Sequence, residues 1–259
     1  MESGAYVALS GALAMERRLE IISNNIANVN TSGFKAEKMA FEVVVPEGSY
    51  SNMPIPQADS NVSPLAANHP FILDATFVDG GTTFIDFSEG PLQKTDNPLH
   101  LSLNGDGFFV LETPEGTRYT RSGGFVVSPE GLVTTLEGHS LQGEGGAIAL
   151  GGGVLNIDST GNIEENGEAI DVLKIVDFAK PYALRKDENG LYVADENVEE
   201  VPVQGSVVMQ GYLELSNVSV IKEMVSMIET TRAYESYLKV LQVYDDMEQQ
   251  SNKDIGSVK

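Results

Sequence analysis

Apolar side chains recur at alternating intervals of four and three residues near both ends of this 259-residue chain. This is the period of a helix that packs along a seam against another helix. The N-terminal seam comprises Ala8, Ala12, Met15, Leu19, Ile22, Ile26 and Val29, and the C-terminal seam comprises Val220, Met224, Met227, Thr231, Tyr234, Leu238 and Leu241. The pattern predicts helices over about residues 3–29 and 217–249 that meet along these seams.

Each predicted helix also carries a second apolar row. The rows begin with Tyr6, Leu9 and Leu13 in the first helix and with Ile221, Val225 and Ile228 in the second. Two rows indicate burial on more than one side of a helix. Burying one seam gains less free energy than the loss of conformational entropy costs when the helix becomes ordered. Isolated helices are also marginal in water. We therefore expect the helices to contact several subunits and to become ordered on assembly.

Between the helices the pattern changes to short alternating runs such as residues 82–87. Turn sequences separate these runs at 114–116, 129–131, Asn166-Gly167 and Asn189-Gly190. Frequent turns without long helical stretches are typical of an antiparallel all-β domain. The predicted fold class is α+β: long N- and C-terminal helices pair as a coiled-coil-like bundle around a central antiparallel all-β domain.

The chain divides, on this prediction, into four segments. Residues 1–35 form an N-terminal assembly helix with its motif, and residues 36–75 form an extended linker or loop. The linker prediction rests on residues 46–70, which hold five of the eleven prolines. Residues 76–212 form the β-rich outer domain, and residues 213–259 form the C-terminal assembly helix.

Charge and composition narrow the possible partners. The formal net charge is −22, and residues 41–212 hold 26 acids and seven bases. An acidic middle argues against nucleic acid or an anionic membrane as a partner, although solubility alone would also explain it. The chain has no cysteine, which excludes disulfides and thiolate metal sites. No run approaches the roughly 18 apolar residues of a membrane span.

The sequence contains no recognisable catalytic pattern. The three histidines lack the spacing of metal ligands, and no nucleophile elbow, phosphate loop or dinucleotide fingerprint occurs. The glycine-rich residues 143–153 lack the Lys-Ser/Thr of a phosphate loop and predict a loop. Acid pairs at 164–165 and 199–200 would act as glycosidase carboxylates only if folding joined them. We therefore predict a protein that is not an enzyme, with no catalytic, metal or cofactor site.

The strongest local motif is rich in asparagine. Four asparagines fall within seven residues at the end of the first helix, and Asn24 and Asn28 lie four apart on one face. A carboxamide both donates and accepts hydrogen bonds without carrying charge, so it can satisfy neighbours inside a packed bundle. Cap-forming residues at a fraying helix end are the alternative. Gly33 suits a left-handed turn after the helix.

This motif also resembles a known family. Residues 24–35 are similar to the N-terminal signature of the flagellar rod and hook proteins of bacteria. Residues 211–218 and 223–235 resemble the C-terminal signature of the same family, and residues 103–109 and 118–125 resemble its middle. The two terminal signatures together are highly specific, and the resemblance omits only about residues 40–75.

The resemblance implies a structural subunit of the bacterial flagellar rod. It implies paired terminal helices in an inner tubular layer with the β domain outside. The implied partners are other rod proteins, copies of the chain itself, the flagellar type III export apparatus and the surrounding ring or bushing, with no nucleic acid and no membrane insertion. Export from the cytoplasm to the periplasmic rod would need no cleaved signal peptide. Chain length and residues 6–10 favour a proximal-rod subunit, and a distal-rod subunit is the alternative.

The expected assembly interface combines the seams with the asparagine motif. It comprises Ala8, Ala12, Met15, Leu19, Ile22, Asn24, Asn25, Ile26, Asn28, Val29, Gly33, Phe34, Met224, Met227, Thr231, Tyr234, Leu238 and Leu241. Side-by-side packing of these helices would transmit motor torque. The alternative from another class is a secreted β-rich adhesin or carbohydrate-binding protein that binds its ligand through residues 76–212.

Overall fold

The computed structural model describes most of the chain. The described residues are 2–44, 77–79, 82–187, 189–195, 198–203 and 205–256. The proline-rich part of the predicted linker, residues 46–75, lies outside them. The positions and contacts given below refer to the described residues.

Both predicted terminal helices are confirmed. Helix α1 spans Glu2–Ala27, and helix α2 spans Val220–Gly256. Helix α1 ends in a turn in which the Thr31 amide donates to the Asn28 carbonyl at 3.1 Å. Gly33 follows with a φ of 69°, the left-handed conformation expected after a helix. Neither of these two helices, the ones that the described residues form, contains an apolar stretch long enough to cross a membrane.

Short strands follow one another through the remaining described chain. They are β1 (Glu37–Met39), β2 (Glu42–Val44), β3 (Phe77–Asp79), β4 (Thr83–Ile85), β5 (Leu92–Lys94), β6 (Leu101–Asn104), β7 (Phe108–Thr113), β8 (Gly116–Thr120), β9 (Val126–Val127), β10 (Val133–Thr134), β11 (Ser140–Gly143), β12 (Gly146–Ala147), β13 (Leu155–Ile157), β14 (Asn162–Glu165), β15 (Glu168–Val172), β16 (Ile175–Phe178), β17 (Leu184–Lys186), β18 (Tyr192–Ala194), β19 (Glu200–Pro202), β20 (Val207–Gln210) and β21 (Tyr212–Glu214).

The strands pair in an antiparallel manner, as the turn spacing predicts. The main path of the ten-stranded sheet runs β17-β18-β8-β7-β11-β10-β9; β16 pairs with β7 and β19, and β12 pairs with β11. Strands β13, β14 and β15 form a separate meander, and four strand pairs complete the set: β1–β4, β2–β3, β6–β20 and β5–β21. The α+β class with an antiparallel β-rich centre is therefore confirmed.

The predicted turns explain several of these pairings. Asn166 and Gly167 have φ values of 54° and 83°, which is the two-residue turn that suits the twist of a hairpin, and they join β14 to β15. The loop predicted for residues 143–153 is wrong in part, because Gly146–Ala147 forms β12 and pairs with β11. Backbone pairing needs no side chain, so a glycine-rich run can still form a strand.

The chain folds into two compact units. The helix unit comprises Met1–Ile26, Glu37–Ile85 and Val220–Lys259, and the β unit comprises Ala27–Ala36 and Asp86–Ser219. Residues 37–44, predicted as linker, contain strands β1 and β2, because their backbones pair with β4 and β3.

The β unit contains a large apolar cluster. Thirteen buried side chains form it: Leu101, Leu103, Phe109, Leu111, Phe125, Val133, Leu141, Ile148, Ile157, Ile163, Leu173, Leu191 and Val208. The rings of Phe109 and Phe125 meet edge to face with centroids 5.5 Å apart. Because these residues come from many strands, the cluster joins the ten-stranded sheet to the β13–β15 meander.

Candidate functional site

Two tyrosines of α2 lie against two glycines of α1 inside the helix unit. A Cβ added to Gly11 would lie 2.5 Å from Cε1 and 2.6 Å from Cζ of Tyr237, so the ring covers the glycine backbone. Tyr244 covers Gly4 in the same way. From the Gly4–Tyr244 contact to the Gly11–Tyr237 contact, the residue number rises by seven on α1 and falls by seven on α2. The two helices therefore run antiparallel along this contact.

The predicted seams are partly buried within the single chain. In the N-terminal seam, Ala8, Ala12 and Ile22 are buried, and Met15, Leu19, Ile26 and Val29 are half-buried. In the C-terminal seam, Val220, Met227, Thr231, Tyr234 and Leu241 are half-buried, and Met224 and Leu238 are exposed. At about 100° per residue, Ala8 and Ile22 project from α1 on the same side as Gly11. The N-terminal seam therefore follows the face of α1 that meets α2.

The first members of the second apolar rows lie on the faces turned away from the partner helix, whereas Tyr237 and Tyr244, which continue the second row of α2, contact α1. The outer row of α1, defined as Tyr6, Leu9 and Leu13, is 60%, 44% and 56% exposed. It projects about 140–200° away from Gly4 around the helix axis. The outer row of α2, defined as Ile221, Val225 and Ile228, is 51–77% exposed and projects about 180–240° away from Tyr237. Each helix thus turns one apolar face to its partner and exposes another.

Asn25 has a structural task within the chain. Its Nδ2 donates to the Glu37 carbonyl at 2.9 Å, and its Oδ1 accepts from the Glu37 amide at 2.9 Å. The Asn25 side chain therefore pairs with the Glu37 backbone as a neighbouring strand would, and it connects the end of α1 to the start of β1. Asn24 is exposed, whereas Asn28 accepts a hydrogen bond from Thr31 Oγ1 at 3.2 Å in the turn after α1. The asparagine motif thus includes both a buried clamp and a helix-end turn.

Three charged side chains meet in the interior of the β unit. Lys35, Glu214 and Arg121 are 1%, 1% and 3% exposed. Lys35 Nζ lies 2.5 Å from Glu214 Oε1, and Arg121 Nη1 lies 3.7 Å from Glu214 Oε2. We call this cluster of Lys35, Arg121 and Glu214 the buried junction. Glu214 occupies its centre, between two cations.

Backbone groups bind part of the junction, whereas Arg121 Nε, Arg121 Nη1 and Glu214 Oε2 are buried without a hydrogen bond. Lys35 Nζ donates to the Ser88 carbonyl at 2.8 Å, the Gly90 amide donates to Glu214 Oε1 at 2.9 Å, and Arg121 Nη2 donates to the Gly105 carbonyl at 2.8 Å. Burial lowers the pKa of Lys35 below its ordinary value, and the nearby Glu214 carboxylate opposes that shift. A buried charge is tolerated only where such partners compensate its lost hydration.

Asn217 and Phe34 also connect the segment that follows α1 with the segment that precedes α2. Asn217 Oδ1 accepts from the Ala36 amide at 2.8 Å, and Asn217 Nδ2 donates to the Asp86 carbonyl at 2.8 Å. Phe34 is buried in a small cluster with Ala36 and Val218. Gly33, also predicted at the assembly interface, donates its amide to the Glu214 carbonyl at 2.8 Å. These motif residues therefore make contacts within the β unit.

Sequence reasoning missed the buried junction. Lys35 stood in the N-terminal motif, but a lysine next to apolar residues is usually solvated, so its sequence context alone does not predict burial. Arg121 and Glu214 likewise stood in segments that resemble the family, with no pattern that pairs them. Glu214 is 179 positions from Lys35 along the chain, and only folding brings them together.

Comparison with known protein families gives three matches along the chain. Residues 6–35 match the family described as "Flagella basal body rod protein". Residues 102–172 match "Flagellar hook protein FlgE/F/G D1 domain", and residues 209–254 match "Flagellar basal body rod FlgEFG protein C-terminal". Each matched segment contributes one member of the buried junction.

Individual relatives are similar over nearly their whole length. The chain is 32% identical over 241 residues to the "Flagellar basal-body rod protein FlgF" of Rhizobium meliloti, covering 91% of this chain and 90% of that protein. It is 30% identical to the protein of the same name from Caulobacter vibrioides, with all of both chains covered. It is also 30% identical to the "Flagellar basal-body rod protein FlgG" of Bacillus subtilis, covering 95% of this chain and 96% of that protein.

Proposed function

The chain belongs to the flagellar basal-body rod protein family as a structural subunit of the rod, and we propose that it builds the proximal rod by polymerising through its terminal helices. Chain length and residues 6–10 resemble FlgF, the proximal-rod protein of the family. The similarity to FlgF proteins over 90–100% of their lengths supports the same assignment. A distal-rod position is the second candidate, because FlgG proteins are similar at comparable identity.

The observation that carries the assembly proposal is the pair of exposed outer rows. Tyr6, Leu9 and Leu13 on α1, with Ile221, Val225 and Ile228 on α2, remain exposed although each helix already has an apolar contact inside the chain. Full burial of a large apolar side chain gains about 1.5–3 kcal/mol, so burying the exposed half of one such side chain gains about 1 kcal/mol. Contiguous exposed apolar rows of this kind are typical of a protein interface.

The occupant that we propose for these rows is the helix pair of a neighbouring rod subunit, either a copy of this chain or a related rod or hook protein. In this arrangement α1 and α2 pair as a coiled-coil-like bundle. The N-terminal seam of α1 and the rings of Tyr237 and Tyr244 hold the pair together, and the outer rows face neighbouring subunits. Side-by-side packing of such pairs transmits motor torque. The export apparatus and the surrounding bushing are further proposed partners, and export without a cleaved signal is the proposed route to the periplasmic rod.

A paired substitution on α1 tests this assembly surface. Leu9→Gln with Leu13→Gln removes the apolar character of the outer row, and Glu16→Gln with Glu20→Gln is a matched control at exposed positions of the same helix. Each variant replaces the native gene in the cell, and basal bodies are imaged by electron microscopy. We expect the leucine variant to give truncated rods and non-motile cells, with circular dichroism of the purified subunit unchanged.

The control variant should support normal rods and normal swimming. Complete rods built by the leucine variant would refute the assembly surface. Deletion of the gene separates the two positions in the rod, since arrest before any rod forms supports the proximal assignment and arrest after a short rod forms supports the distal one.

A further inference from the structure

Both segments that lead into the helices are held at the buried junction. Residues 27–36 continue from α1, and residues 214–219 run into α2, yet both ranges belong to the β unit. Lys35 lies in the first range and Glu214 in the second, and their side chains form a buried ion pair. The junction therefore joins the two chain connections to each other inside the β unit.

We propose that the buried junction is the mechanical coupling through which force on the helices enters the β unit. Arg121 extends the pair into the ten-stranded sheet, because it follows directly after β8. Lys35 and Glu214 act here as positioning residues, which hold the two connections in place under load. The proposal rests on the proposed function, since it assumes that the subunit carries torque in a rod.

The large apolar cluster of the β unit cannot replace this coupling. All thirteen of its members lie between Leu101 and Val208, outside both connections. The connections are held by the junction, by Asn217, by the small cluster around Phe34 and by backbone hydrogen bonds such as that from Gly33 to Glu214. Loss of the junction should therefore loosen the connections while the core of the β unit stays folded.

The charges of the junction predict an unusual pattern of mutant stabilities. Lys35→Met leaves Glu214 with Arg121 as its remaining partner. Glu214→Gln is more harmful, because it leaves two buried cations without an anion between them. Adding Lys35→Met to Glu214→Gln removes one of those cations, so the double variant should be more stable than Glu214→Gln alone. A purely packing role would instead give losses that add.

Calorimetry of the full-length chain measures this pattern. We expect Glu214→Gln to lower the melting temperature by about 6–15 °C, Lys35→Met to lower it by less, and the double variant to recover at least a third of the Glu214→Gln loss. Lys94→Met replaces an exposed lysine of β5 whose ion pair with Asp96 is also exposed, and should lower the melting temperature by no more than about 2 °C. Additive losses in the double variant would overturn the charge cluster as the source of coupling.

Swimming in a viscous medium tests whether the buried junction carries force from the helices to the β unit. Cells that carry Lys35→Met should build complete rods and swim normally in dilute medium. In a viscous polymer solution in which Lys94→Met cells keep their speed, they should lose at least half of the wild-type speed. Equal speeds for the two variants in viscous medium would overturn the coupling. If cells that lack the gene still build complete rods, the proposed function fails instead, and the calorimetric result stands independently of it.

Discussion

Gly11 provides the most direct test of how the two helices meet. In Gly11→Ala the new Cβ would lie 2.5, 2.6 and 3.0 Å from Cε1, Cζ and Cδ1 of Tyr237. Ordinary carbon contacts are about 3.5–4.0 Å, so the ring must move by about 1 Å. Overpacking of this kind costs about 1–3 kcal/mol. Replacing a mid-helix glycine by alanine gains about 0.8–1 kcal/mol, so the net loss is about 0–2 kcal/mol.

The same substitution should change sign when the ring is absent. In a Tyr237→Ala background the clash disappears and only the helix propensity remains, so Gly11→Ala should stabilise the helices by about 1 kcal/mol. Thermal unfolding followed by far-UV circular dichroism measures all four chains of the cycle. An equal stabilisation by Gly11→Ala in both backgrounds would show that Tyr237 does not cover Gly11, and would refute the antiparallel contact derived from it.

Three further outcomes follow from the buried groups. Phe109→Ala removes a fully buried ring of the β-unit core and should lower the free energy of unfolding by about 3–5 kcal/mol in calorimetry. Asn25→Asp replaces a buried donor to the Glu37 carbonyl and should cost about 2 kcal/mol or more, whereas Asn30→Asp at an exposed position should cost under about 0.5 kcal/mol in the same melts. The pKa of Lys35 is lowered from its ordinary 10.5. At a pH between the lowered and the ordinary pKa, the unfolded chain therefore keeps a proton on Lys35 that the folded chain has released. Stability should therefore rise with pH between the two values in the wild type, and Lys35→Met should lack that rise in pH-dependent denaturation.

The helices and hairpins could be predicted because they follow from local rules. A four-three spacing predicts both helices from apolar positions alone, and Asn166-Gly167 predicts a hairpin because both residues tolerate positive φ. The family could also be predicted, because its signatures are continuous stretches at the two ends. That identification decides between the rod subunit and the adhesin alternative.

The division of the helix faces could not be predicted in the same way. Both apolar rows of α1 have helical spacing, and nothing in the spacing distinguishes the row that meets α2 from the row that stays exposed. Gly4 and Gly11 decide it, since the absence of a side chain lets the rings of Tyr244 and Tyr237 approach the backbone. This complementarity depends on the partner helix, more than 200 positions away.

The sequence by itself determined the two terminal helices, the antiparallel β-rich centre and the family, because periodicity, turn chemistry and contiguous motifs act over short distances along the chain. Only the tertiary structure decided the roles of individual motif residues. Asn25 binds the Glu37 backbone, and Lys35 pairs with Glu214. A buried polar or charged group needs a specific partner at hydrogen-bonding distance, and that partner is supplied by the fold rather than by neighbours in sequence.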